Sequence, residues 1–104
     1  MDFLAIHLKE GTPPVMHVGG EIDIATADQF RTALDEAVAA DPRVVVDMAD
    51  VTFIDASGLH VILDMAASRN GNGPLKVINA ARLVRLLNLL ELTELPSLDI
   101  REAE

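Results

Sequence analysis

Apolar residues recur along this chain in two rhythms, and each change of rhythm marks an element. Residues 3–8 (FLAIHL) and 15–18 (VMHV) are short apolar segments of β type separated by the turn-prone EGTPP. They predict a strand pair joined as a hairpin. After GGEID the spacing lengthens: Phe30, Ala33, Leu34, Ala37 and Val38 recur at i, i+3, i+4, i+7 and i+8, one face of an amphipathic helix. Thr26, with Gln29 three residues on, carries a capping-box signature for its start, and Asp41-Pro42 stops it. RVVVDM, residues 43–48, is a continuous apolar run of strand length, as in a strand covered on both faces. A second apolar run arrives at Asp55, after which Leu59, Ile62, Leu63 and Ala66 share a helical face that ends before NGNGP. LKVIN is another short β-type run, Leu83, Leu86, Leu87 and Leu90 form the stripe of a third helix, and PSLDI closes as a short strand. The order β-β-α-β-α-β-α-β predicts an α/β domain with a small mixed β-sheet: an early hairpin, then parallel strands, with helices mainly on one face.

Composition narrows the function. A chain of 104 residues suits one domain, residues 1–104, and with half of its residues apolar it is globular rather than disordered. It has three Phe and no Tyr or Trp, so no aromatic platform for stacking bases is present. A net charge of −9 argues further against nucleic acid, which needs a cationic footprint. Without cysteine there is neither a disulfide framework nor a thiolate zinc site, and His7 and His17 form no metal spacing. GNGPLK precedes a strand instead of opening a helix, the wrong context for a phosphate loop, so no cofactor is expected. MDFLAIHLKEG lacks the cationic start and apolar core of a signal peptide, and no apolar run approaches the roughly 20 residues that span a bilayer. The expectation is an acidic cytoplasmic domain without membrane insertion.

Candidate chemistry concentrates in FIDASGLH, where Ser57 stands between Ala56 and Gly58 at the junction of a strand and a helix. The simplest role for such a serine is a helix N-cap. A nucleophile elbow would need glycine two positions either side, where Asp55 and Leu59 stand, and His60 has no assignable orienting carboxylate. Catalysis is therefore not expected. The remaining role is that of a kinase substrate: small neighbours leave the hydroxyl approachable, and a helix N-terminus tolerates an added phosphate. From Val44 through Ser68 there is no Lys or Arg, yet Asp47, Asp50, Asp55 and Asp64 are present; Glu10 through Phe30 is likewise free of cations, with Glu21, Asp23 and Asp28. If the GGEID and DASGL turns lie at one end of the sheet, they make an acidic face with no arginine nearby in sequence. A phosphate there, carrying roughly −1.5 to −2 charges, would repel a partner drawn to that face.

Gly20-Glu21-Ile22-Asp23 and VVVDMADVTFIDASGL, Val44 to Leu59, together with the Val77 strand and the Leu-rich last helix, resemble the STAS domain family. The likeness is to its bacterial anti-sigma factor antagonists and runs over essentially the whole chain. The resemblance implies a partner switch. Unphosphorylated, such a protein binds an anti-sigma factor that is also a GHKL-type serine kinase; phosphorylation of the serine matching Ser57 releases it, and a PP2C-type phosphatase restores it. It also implies a docking surface of Glu21, Ile22, Asp23, Asp55, Ala56, Gly58 and Leu59. Ala56 stands where many relatives have a further hydroxyl, so Ser57 is the plausible acceptor in its loop. The glycine often found at the end of the last helix is missing, with Leu92, Thr93 and Glu94 in that region. The family also includes transporter-appended domains and small subunits of lipid-trafficking systems. The alternative is therefore a constitutive STAS scaffold or accessory module of a signalling or transport assembly, with Ser57 as a structural N-cap.

Overall fold

A computed structural model describes residues 3–103. Strand β1 (Leu4–Lys9) pairs antiparallel with β2 (Val15–Ile22), with His7 opposite His17. Strands β3 (Val45–Ile54), β4 (Leu75–Ile78) and β5 (Leu98–Ile100) then add in parallel, giving the sheet order β1-β2-β3-β4-β5. Helices α1 (Ala27–Ala40), α2 (Ala56–Ala67) and α3 (Ala81–Leu89) connect successive parallel strands. Right-handed crossovers between strands laid down in sequence place their helices over the same face of the sheet. The expected α/β architecture is thus the observed one.

The core lies between sheet and helices. Met16, Val18, Ile22, Val46 and Val77 meet Phe30 and Leu34 of α1, Leu59 and Ile62 of α2, and Leu83 and Leu87 of α3. Burying each of these larger side chains stabilises the fold by about 1.5 to 3 kcal/mol. On the opposite face the His7 and His17 rings stack with centroids 6.3 Å apart, and His17 Nδ1 lies 3.1 Å from Asp47 Oδ2. At the lower end Arg69, almost wholly buried, ties two loops together by donating to the carbonyls of Pro42 (2.7 Å) and Gly73 (2.8 Å).

Three local expectations change. Both β2 and β3 run further than their apolar runs, because β2 continues through a register irregularity at Gly20 and Glu21. Gly20 adopts φ 97°, a left-handed conformation that suits glycine, and the next amide, Glu21 N, donates to Phe3 O at 2.7 Å. The capping box at Thr26 and Gln29 does not form. Thr26 Oγ1 instead accepts from Asp23 N (3.0 Å) and donates to Glu21 O (2.7 Å), while Gln29 reaches away to Leu4 O (3.1 Å). Leu90 leaves the α3 stripe: it is the C-cap and half exposed. Past it, Glu91 takes φ 56°, Leu92 N donates to Leu87 O (2.9 Å) and Glu91 N to Asn88 O (3.1 Å). That pair of bonds is a Schellman closure, with Glu91 in the place usually held by glycine.

Candidate functional site

Parallel pairing carries β2 and β3 to the same end of the sheet, where Glu21 stands beside Phe53 and Ile22 beside Ile54. Asp55 N donates to Ile22 O at 3.2 Å, joining the two strand ends just before their chains turn into helices. The turns at Asp23 and Asp55 are therefore neighbours, as the acidic-face expectation required.

Each aspartate organises its own turn. Asp23 Oδ1 accepts from Ala25 N (2.9 Å) and Thr26 N (3.2 Å), and the Asp23 carbonyl accepts from Ala27 N (2.8 Å). Asp55 is the N-cap of α2: its Oδ1 accepts from Ser57 N at 2.8 Å, and its carbonyl takes Leu59 N at 3.0 Å. This corrects the reading of Ser57 as a structural cap. The extended segment ends two residues earlier than that role requires, and an extended Asp55 offers its carboxylate to a free amide of the first helical turn. Ser57 is then the second residue inside α2, and its Oγ makes no hydrogen bond with any described residue. It is half-buried, and Ala56 beside it is exposed.

Among the residues expected to dock a partner, the structure separates surface from support. Asp23, Asp55 and Glu21 reach partial exposure, and one carboxylate oxygen of Glu21, Oε1, is buried without a hydrogen-bond partner among the described residues. Ile22, Gly58 and Leu59 lie beneath that surface: Ile22 and Leu59 expose 0% and 1% of their surface and Gly58 is buried. The small side of Gly58 serves close packing instead. A Cβ there would stand 2.6 Å from Ile22 Cγ2 and 2.9 Å from Ile54 Cγ1, so glycine is what lets the start of α2 rest on both strand ends.

Sequence reasoning missed two apolar residues at this end. Ile24, at the tip of the Asp23 turn, is 85% exposed, and Phe53 is 48% exposed. An isoleucine in an aspartate-led turn is the one sign that could have flagged the first. The cation-poor description also needs amending. Asp64 is bridged by Arg31 of α1 at 2.9 Å, and α3 brings Arg82 to the Val51 carbonyl (3.0 Å) and Arg85 to the hollow beside Phe53 and Ile54. These arginines lie beyond the windows in which charge was counted along the chain.

Among the described residues no group of three His, Asp or Glu is placed to hold a metal ion, and no helix is long and apolar enough to cross a membrane. What the site offers chemically is a hydroxyl bonded to no described residue, in the helical turn that Asp55 caps and beside a second aspartate-held turn.

Over 49 residues the chain is 39% identical to the anti-sigma-F factor antagonist RsfB of Mycobacterium tuberculosis, a match covering 46% of this chain and 40% of that protein. Its fold superposes on an anti-sigma factor antagonist of Mycobacterium paratuberculosis with a TM-score of 0.81 at 22% identity, over 96% of this chain and 86% of that one. The unphosphorylated form of the anti-sigma factor antagonist SpoIIAA gives 0.64 at 17% identity, over 92% and 87%. Residues 8–98 match the family model described as Mlab, STAS domain, and the chain belongs to that STAS family.

Proposed function

We propose that this chain is an anti-sigma factor antagonist controlled at Ser57. Unphosphorylated, it binds an anti-sigma factor of the GHKL serine-kinase type through the turns at Asp23 and Asp55. The kinase transfers the γ-phosphoryl group of ATP to Ser57 Oγ: the new O–P bond forms, the bond to the β-phosphate oxygen breaks, and the hydroxyl proton leaves to a base on the kinase. The chain is substrate and ligand in this scheme and supplies no catalytic group. A PP2C-type phosphatase hydrolyses the phosphoserine and restores binding.

The observation that carries this reading is the division of labour at the start of α2. Asp55 holds the cap, so Ser57 Oγ can be modified without loss of a structural bond. A phosphate here lies at the favourable pole of the helix, which protects the fold. It also adds roughly −1.5 to −2 charges beside the carboxylates of Asp23 and Asp55, which weakens any contact that those carboxylates make with a cationic partner. Fold stability and partner affinity thus respond oppositely to one modification, as a reversible switch requires.

The test is a paired pull-down from host lysate with Ser57→Ala and Ser57→Asp baits, followed by incubation of the wild-type chain with the captured kinase and ATP. A GHKL-type kinase retained by the Ala bait, lost from the Asp bait and able to phosphorylate Ser57 is the expected result. The same companions on both baits would defeat the switch. They would favour the second reading, a constitutive STAS scaffold or accessory module of a signalling or transport assembly. That reading can no longer use Ser57 as its helix cap.

A further inference from the structure

Alongside the end of β3 that leads into Asp55, α3 carries an outward surface that the fold does not use. Arg85 and Leu89 lie four residues apart and form a single ridge on the helix. A hollow of about 140 Å³ on one side is bounded by Phe53, Ile54, Arg82 and Leu86. Another of about 360 Å³ on the other side is bounded by Ala81, Val84, Asn88 and Glu102. Arg85 and Leu89 line both.

Leu89 is 75% exposed, and Phe53 and Leu90 are each about half exposed. Half of the large apolar side chains that the described residues expose are thus Phe53, Leu89 and Leu90, on or next to α3. Isolated exposed apolar residues need no explanation, but a cluster with cations at its edge is the composition of a protein interface.

Charge selects the partner. The chain as a whole carries −9, and most of its described cations are spent internally. Arg31 and Arg43 bridge aspartates, Arg69 is buried against carbonyls, and Arg101 pairs with Asp99. Arg85 makes no ion pair or hydrogen bond with any described residue. Arg82 beside it uses Nε on Val51 O and keeps the rest of its fork free. Shape selects the partner's form, because a ridge of residues four apart between two hollows is the surface onto which the grooves of a second helix fit.

We infer that the Arg85–Leu89 ridge docks an amphipathic helix of a protein partner, with aliphatic side chains in the two hollows and a carboxylate against Arg85. One hollow reaches Phe53 and Ile54, just before the Asp55 turn, but the ridge itself belongs to α3 and the inference does not rest on phosphorylation of Ser57.

The probe is a fluorescent helical peptide of about four turns, with Leu at i, i+3, i+4 and i+7 and Glu flanking them, titrated with the intact chain and read by anisotropy. Saturable binding should weaken about tenfold with Arg85→Glu, since like charges brought together across an interface are strongly disfavoured. Leu89→Ser should weaken it as well, and replacing the peptide's Glu by Gln should weaken it for the wild type but not for Arg85→Gln. Both substituted positions are exposed, and unchanged thermal melts of the variants would confirm that they fold. Ser57→Asp should leave peptide affinity unchanged, which separates this outcome from that of the switch. No saturable binding, or equal affinity for the wild type and Arg85→Glu, overturns the inference. Flotation with phosphatidylglycerol vesicles, or a dimer in sedimentation, would also overturn it if either is abolished by Leu89→Ser, assigning the ridge to lipid or to a second copy.

Discussion

Adding one methyl group to Gly58 tests how closely α2 is seated on the sheet. In Gly58→Ala the new Cβ would meet Ile22 Cγ2 at 2.6 Å, Ile54 Cγ1 at 2.9 Å and Ile22 Cβ at 3.1 Å. Carbon atoms prefer separations of about 3.5 to 4 Å, so the closest approach is short by about 1 Å. Ile22 is fully buried and Ile54 nearly so, so moving either side chain disturbs its packed neighbours. Relief must come from lifting the start of α2, with cost in the usual overpacking range of about 1 to 3 kcal/mol. Against this, alanine is the better helix former by at most about 1 kcal/mol, less at so early a position. The expected net loss is about 1 to 2 kcal/mol, or roughly 4 to 16 °C in melting temperature for a domain of this size.

Urea denaturation of the wild type, Gly58→Ala, Ile22→Ala and the double variant measures both the loss and its origin. Ile22→Ala removes the Cγ2 atom of the closest contact, so adding Gly58→Ala in that background should cost measurably less than it does alone. A Gly58→Ala chain as stable as the wild type would refute the close seating of helix on strand. Equal cost in both backgrounds would show that Ile22 is not what the methyl meets.

The two residues at the start of α2 should behave in opposite ways: Asp55→Ala loses the amide acceptor and about 1 kcal/mol, whereas Ser57→Ala should leave the thermal melt nearly unchanged. Glu91→Gly should stabilise the chain by about 1 kcal/mol in the same assay, since it relieves a side chain held at φ 56°. Arg69→Ala removes two hydrogen bonds from a buried guanidinium and should cost about 2 to 4 kcal/mol, read as a lower urea midpoint with an unchanged slope. The Asp41 carboxyl is held below the ordinary carboxylate range, first by the side-chain hydrogen bond from Arg43. A lowered carboxyl adds stability that is present above its unfolded value and lost as pH falls through its folded value. Arg43→Ala should therefore raise the Asp41 titration midpoint, followed by NMR of the carboxyl carbon.

The order of elements was legible because the strands are short apolar runs bounded by turn residues, while the helices that hold Phe30 and Leu34, Leu59 and Ile62, and Leu83 and Leu87 repeat every three to four residues. The meeting of the Asp23 and Asp55 turns followed from parallel pairing of the strands that lead into them. Three things were hidden. Asp55, Ala56 and Ser57 present two good cap residues two positions apart, and a shift of the strand end by one or two residues decides between them. Glu91 gives no sign of its left-handed backbone, because the Schellman bonds that enforce it come from Leu92 and Leu87 packing onto the core. Arg82 and Arg85 lie outside the cation-free stretches of the sequence, and nothing along the chain shows that α3 brings them beside β3.

The identity of the cap also changes what a family motif means physically. In DASG the aspartate, alanine, serine and glycine are read together as a signature, yet their structural burdens differ. Asp55 holds the helix start through one bond, and Gly58 sets its height above the strands by the absence of a Cβ. Ala56 is exposed, and the Ser57 hydroxyl makes no hydrogen bond with any described residue. Substitutions at Asp55 or Gly58 therefore mix a loss of fold with any loss of partner, and binding data from them need a stability measurement beside them. Ser57 is different. Because its hydroxyl bonds to no described residue, a change in partner affinity on Ser57→Ala or Ser57→Asp, at unchanged melting temperature, reports on recognition alone.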